Sequence, residues 1–151
     1  MTASPRPALA SSAVVTRNDR YLLVRRSKPP SAEMFAFPGG RAEPGETPAE
    51  TAVRELFEET GITGSAPALF ATYDLPADRA DGAAGRHFFL SVFRVEADID
   101  AEAVAGDDAA SLGWYTAEEI ADLPAPPSVR ECIERLEAVR TSGTEARETG
   151  A

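Results

Sequence analysis

Three glutamates, Glu55, Glu58 and Glu59, stand at i, i+3 and i+4 in a stretch that reads as one helix, so their carboxylates fall on one face. They occupy its last two turns, where the negative end of the helix dipole disfavours each anion by about 0.3–1 kcal/mol. Like charges at i, i+4 add a further penalty of about 0.2–0.5 kcal/mol. A chain shaped only by folding would carry Lys or Arg here. Local rules broken in one place, with sound signals around it, mark a functional site. Converging carboxylates turn from liability to asset when they share a hard divalent cation with oxygen ligands, Mg²⁺ first and Mn²⁺ next.

The elements that must position these acids are well marked. Thr47 suits an N-cap, Pro48 the first helical position, and Glu50, three past the cap, completes a capping box. Ala49, Ala52, Val53, Leu56 and Thr60 recur at helical spacing and give the face that meets a core. Gly61 can turn left-handed and end the helix. Ahead of it, Gly39 and Gly40 permit close backbone approach, and Gly45 suits a loop turn. Arg54 lies four residues after Glu50 and four before Glu58, which suits an ion pair that orients a carboxylate rather than a contact with substrate. Glu46 can support that arrangement or fix the loop.

The same stretch resembles a known motif. Gly40, five residues, Glu46, seven residues, then Arg54-Glu55-Leu56-Phe57-Glu58-Glu59-Thr60-Gly61-Ile62 is similar to the Nudix box, matching nine fixed positions over 23 residues. The resemblance implies a Nudix hydrolase, which cleaves a nucleoside diphosphate linked to another moiety. It implies Glu55, Glu58 and Glu59 as metal ligands joined by the Gly40 carbonyl, with Glu58 and Glu59 the most consistently used and Glu55 either ligand or general base. Such proteins often draw the base, or another ligand, from a loop outside the box. The loop candidates here are Asp107 and Asp108, for which an acidic solvated turn is the competing reading.

Within the family, Pro76, fourteen residues beyond Ile62, and the Gly106-Asp107-Asp108-Ala109 segment before Trp114 resemble proteins that act on ADP-ribose. ADP-ribose or a related nucleoside diphosphate sugar is therefore the expected substrate, with a nucleoside triphosphate next. A regulatory module that binds a nucleotide without cleaving it would typically have lost box glutamates, and all three are intact.

At 151 residues the chain is long enough for one domain with a sizeable core, and 43% hydrophobic with 26% charged residues is ordinary for a globular protein. The net charge of −10 argues against duplex nucleic acid as a partner. Residues 1–41 reverse that balance, with seven basic side chains against two acidic, net +5. Arg25, Arg26, Lys28 and Arg41 cluster there and suit a polyanionic substrate such as a pyrophosphate; a solvated strand end fits them equally. Phe35 and Phe37 share one face and can stack on a base or pack into the core. No apolar run spans a membrane and no signal-peptide core is visible, while the single cysteine, Cys132, points to a cytoplasmic setting and a buried thiol. The only histidine, His87, reads as structural or surface. The expected partner is a small nucleotide, with a homodimer left open.

Strand signals lie at 13–15 and 21–24, with turn chemistry at 17–20, so 8–25 reads as a hairpin. Short strands at 35–37 and 111–115, a strand at 68–73 and a long strand at 86–95 follow. Thr116 caps a brief helix, and Ser128 with Glu131 reads as the start of the last one. The domain is expected over 8–141, with a disordered lead at 1–7 and a flexible tail at 142–151. Strands, helix, strands and two helices make an α+β sandwich, and the resemblance implies the α/β/α Nudix arrangement with a mixed sheet.

Overall fold

The computed structural model describes residues 7–26, 33–76, 87–98, 101–104 and 109–149, with backbone alone at 109–110 and 142–149. In chain order the elements are β1 (Ala8–Val14), β2 (Thr16–Arg17), β3 (Arg20–Arg26), β4 (Phe35–Ala36), β5 (Gly39–Arg41), α1 (Pro48–Thr60), β6 (Ser65–Leu75), β7 (Phe88–Glu96), β8 (Ala109–Tyr115), α2 (Ala117–Ala121) and α3 (Pro127–Thr149).

The first sheet has the order β5-β1-β7-β6. β1 runs parallel to β7, whereas the β1–β5 and β6–β7 pairs are antiparallel, so the sheet is mixed. In the second, β3 is flanked by β8 on one side and by β2 and β4 on the other. The hairpin expected over 8–25 is thus confined to β2 and β3, whose turn puts Asn18 and Asp19 at φ 49° and 65°, as a tight primed turn requires. β1 itself breaks away at Val15 and finds its partners in β7 and β5. Parallel pairing with a strand some eighty positions on gives no local signal.

Alternation along β1 divides the core. Ala13 and Val15 face α1, packing with Ala52, Leu56, Ile62, Phe93 and Val95. Val14 points the other way, with Val92, towards Tyr21, Leu23, Ile120 and the α3 residues Val129, Cys132, Ile133 and Leu136. The Tyr21 hydroxyl donates to Glu137 Oε2 at 2.6 Å and ties β3 to α3.

α1 begins and ends on the expected signals. The Thr47 side chain accepts from the Glu50 backbone N–H, the Glu50 carboxylate accepts from that of Thr47, and Gly61 closes the helix at φ 76° with its N–H on the Phe57 carbonyl. Leu56 is wholly buried under the sheet. Leu56→Ala should cost about 2–5 kcal/mol and lower the urea midpoint accordingly, since the cavity left has rigid strand on one side.

α2 carries the expected Thr116 box. α3 does not start on Ser128: helical backbone begins at Pro127, and the carbonyl of Pro126 accepts from Val129 and Arg130. Proline at the first helical position moves the cap from Ser128 back two residues to Pro126 and leaves Ser128 inside. Helical backbone also continues to Thr149, into the stretch 142–151. Of the expected lead, residues 1–6 lie outside the described residues. Among the described residues no helix is long and apolar enough to cross a membrane.

Candidate active site

Edge strand β5 lies beside β1 with Ser12 opposite Gly39 and Ser11 opposite Gly40. The pairing is tight enough that a Cβ on Gly39 would come within 2.5 Å of the Ser11 carbonyl oxygen. The C-terminal half of α1 crosses this edge and delivers its glutamates to it. Glu59 Oε2 accepts from the Gly39 N–H at 2.8 Å. The carboxylate of Glu55 lies against Gly40, whose Cβ, if it had one, would fall 2.6–2.8 Å from the carboxylate atoms. Glu58 is the outermost of the three, half exposed.

One guanidinium organises the group. Arg54 donates from Nε and Nη2 to the two Glu46 oxygens at 2.7 and 3.0 Å. Its Nη1 donates to Glu55 at 2.9 Å and Glu58 at 3.0 Å, and Nη2 also reaches the Arg41 carbonyl at 3.0 Å. The partner four residues behind it is therefore not used; Glu50 is spent on the cap, and Glu46, brought round by the loop, takes its place. Thr51, which the apolar stripe omitted, is buried and donates its hydroxyl to Glu46 Oε1 at 2.8 Å.

Electrostatics follow from this wiring. The bidentate Arg54 bond, helped by the Glu43 N–H, holds the Glu46 carboxyl down from the usual 4.5 to about 2. Burial pushes Glu55 the other way, above the ordinary carboxylate range, against the pull of Arg54. A carboxyl whose folded value is lowered stabilises the fold above its unfolded value and loses that contribution as pH falls. Glu46→Gln should accordingly flatten the decline in urea midpoint between about pH 4.5 and about 2, and lower the midpoint at neutral pH.

Among the described residues no three acidic, histidine or cysteine side chains are grouped closely enough to cage an ion as they stand. Glu59 and Glu55 meet the β5 edge at Gly39 and Gly40, while Glu58 is held beside Glu55 by Arg54 Nη1. The donor set still fits a hard cation: it is all oxygen, anionic, and set against a glycine that leaves backbone accessible. Asp107 and Asp108 lie outside the described residues.

On the sheet face opposite α1 a cavity of about 410 Å³ extends from β6 to β5. Arg26, Phe37, Gly40 and Arg41 line it, so four of the expected substrate or ligand positions are brought to one space. Two others are not. Arg25 turns to Glu33, with Nη1 2.8 Å from its carboxylate, and Phe35 stands edge-on to Tyr115 at 5.6 Å between centroids. Ser12, Tyr73 and Cys132 also line the cavity. Ser12 is a site residue that no motif singles out, although two adjacent serines in an apolar strand are a signal. Burial pushes the Cys132 thiol up to about 11, in keeping with the inert buried side chain expected. His87 pairs with Asp74 at the β6–β7 end of the sheet, on the far side from β5.

The carboxylate helix and the cavity of this mixed-sheet sandwich meet along one glycine edge, and comparison with known proteins gives the family. The NUDIX domain model matches residues 6–136, and the chain belongs to the Nudix family. It is 35% identical over 109 residues, 72% of its length, to a protein of Methanocaldococcus jannaschii named ADP-ribose pyrophosphatase. It is 34% identical over 104 residues, 68% of its length, to a Bacillus subtilis protein named as a candidate 8-oxo-dGTP diphosphatase. The chain spans 62% of the length of each of these relatives. The crystal structure of a MutT NUDIX hydrolase from Burkholderia pseudomallei superposes with a TM-score of 0.75 at 25% identity, covering 86% of this chain and 98% of that one.

Proposed function

We propose that this protein is a divalent-cation-dependent Nudix hydrolase that cleaves the pyrophosphate bond of ADP-ribose or a related nucleoside diphosphate sugar by attack of water on phosphorus. The observation that carries the reading is Gly40, which borders the cavity on one side and the Glu55 carboxylate on the other. A substrate seated in the cavity and extending past that edge would lay its diphosphate beside the glutamates. Arg26 and Arg41 flank the same end and can draw in the phosphates.

Glu55, Glu58 and Glu59, with the Gly40 carbonyl, would hold Mg²⁺ or Mn²⁺. When bound, the cation supplies neutralisation of phosphate oxygens and a more acidic water. Glu58 and Glu59 contribute charge; Glu55, whose proton affinity burial raises, is fitted to take a proton from water as well as to ligate. Arg54 holds these side chains in place without touching substrate, and Asp107 and Asp108 remain proposed as base or further ligand. The setting proposed is cytoplasmic, with a homodimer left open.

The name of the M. jannaschii relative favours ADP-ribose, and that of the B. subtilis relative favours a nucleoside triphosphate as second reading. Product analysis across ADP-ribose, nucleoside diphosphate sugars and nucleoside triphosphates, with Mg²⁺, Mn²⁺ or chelator, separates them. AMP and ribose 5-phosphate from ADP-ribose, abolished by chelator, is the expected result. Tight binding of one compound with no cleavage of any would replace the hydrolase with a sensor.

A further inference from the structure

Arg17, in β2, belongs neither to the cavity lining nor to the carboxylate group. Its guanidinium lies over the Trp114 ring, 4.2 Å from the centroid, and its Nη2 donates to the Ala101 carbonyl at 2.6 Å. Stacking fixes the plane of the guanidinium and leaves its edge free to donate, which a planar fork of N–H groups allows. Trp114 is itself held in β8, in register with Leu22 of β3, so the cation rests on a paired strand.

The carbonyl it holds opens a short segment, residues 101–104, that lies against α1. Ala101 and Ala103 pack on the core cluster that contains Ala52, Leu56 and Ile62. The Val104 N–H donates to the Thr60 carbonyl at 2.8 Å, while the Val104 side chain is exposed. Alanines bury little apolar area, so this segment depends on the hydrogen bonds at its two ends. One end is Arg17, the other is α1.

What the far end meets gives the contact its meaning. A helix leaves its last four carbonyls without intrahelical partners. In α1 the Gly61 N–H takes the Phe57 carbonyl and the Val104 N–H takes that of Thr60. Glu58 and Glu59 lie between those two points, in a turn without a basic residue. Repulsion from the helix dipole and between like charges favours fraying there, so a fastening from outside the helix is what keeps the turn closed.

We infer that Arg17 is a positioning residue for the reaction: by fastening residues 101–104 to β2 and Trp114, it holds the last turn of α1, and with it Glu58 and Glu59, in place at the metal site. It acts through Ala101, Val104 and Thr60 rather than on substrate. The inference rests on the reading of those glutamates as metal ligands, whereas the fastening itself does not.

Two readouts therefore test it. The first needs no metal: amide exchange followed by NMR in chelator. Arg17→Met should quicken exchange at Gly61 and Val104 by about tenfold or more and leave Val92, in the middle of the first sheet, unchanged. The second is calorimetric titration of Mn²⁺ into wild type, Arg17→Met, Arg17→Lys and Val104→Pro, which lacks the N–H. Arg17→Met and Val104→Pro should each weaken Mn²⁺ by about tenfold. The double variant should be no worse than the weaker single, because both changes cut one path. Arg17→Lys keeps a cation over Trp114 and a donor for the carbonyl, and should recover most of the affinity. Unchanged exchange in Arg17→Met would overturn the inference whatever the metal does. So would quickened exchange with wild-type Mn²⁺ affinity, losses that multiply in the double variant, or lost protection that reaches Val92. Quickened exchange in a protein whose wild type binds no Mn²⁺ would instead sink the metal reading and leave the fastening of α1 standing.

Discussion

Glu59→Gln should lower the rate of pyrophosphate cleavage by roughly 10²–10³-fold while leaving the metal-free melting temperature level or slightly raised. The two halves have separate causes. In the structure Glu59 Oε2 accepts a hydrogen bond from the Gly39 N–H, and a glutamine carbonyl can accept the same bond. What glutamine cannot supply is negative charge for a divalent cation, and metal assistance accounts for several kcal/mol of the barrier, about tenfold per 1.4 kcal/mol. The carboxylate also sits at the negative end of α1, where no basic residue occupies the last turn. Neutralising it relieves about 0.3–1 kcal/mol of repulsion from the helix dipole. Initial rates with ADP-ribose and Mg²⁺, beside melting curves in chelator, measure both. A variant that melts well below wild type in chelator would mean Glu59 is there to pin β5, and the loss of rate would then say nothing about metal.

That combination also explains why so much of α1 is legible in the amino-acid sequence. Thr47, Pro48, Glu50 and Gly61 act within one turn of themselves, so their effect is set by spacing along the chain. The glutamates are conspicuous because they violate the same local rules. Illegible is whatever depends on distant partners. β1 carries no mark that its neighbours are β7 and β5 rather than β3, since any apolar strand offers the same ladder of donors and acceptors. Arg54 has Glu50 at the right helical offset, yet the loop closes Glu46 onto it, and a bidentate bond outcompetes a single i, i+4 contact. Arg25 and Arg26 are adjacent and chemically alike, but a strand sends them to opposite sides, one to Glu33 and one to the cavity. The cavity itself needs Ser12, Tyr73 and Cys132 from three elements, and no local pattern joins them.

Gly40→Ala should abolish most activity, by about 10²-fold or more, with only a small change in stability, whereas Gly39→Ala should damage the fold. Neither glycine has a left-handed φ, a property confined to Gly45 and Gly61 among the described glycines. The distinction is therefore one of contact. A Cβ on Gly39 would stand 2.5 Å from the Ser11 carbonyl oxygen and 2.8 Å from Ser12 Cα, both backbone. Relief requires β5 to move off β1, at a cost of about 1–3 kcal/mol or more. On Gly40 the atoms nearest the new carbon would be those of the Glu55 carboxylate, at 2.6–2.8 Å, the free end of a flexible side chain. That end can swing aside while Leu56 and Ala52 keep α1 seated. In swinging it leaves its place beside the Gly40 backbone and its bond to Arg54 Nη1, so the site loses a carboxylate from position without losing it from the sequence. A misplacement of about 1 Å costs on the order of 10²-fold in rate when geometry is part of catalysis. Urea midpoints and initial rates on the two variants side by side decide the matter: Gly40→Ala with wild-type activity would mean that the close packing of Glu55 on this glycine has no part in the chemistry.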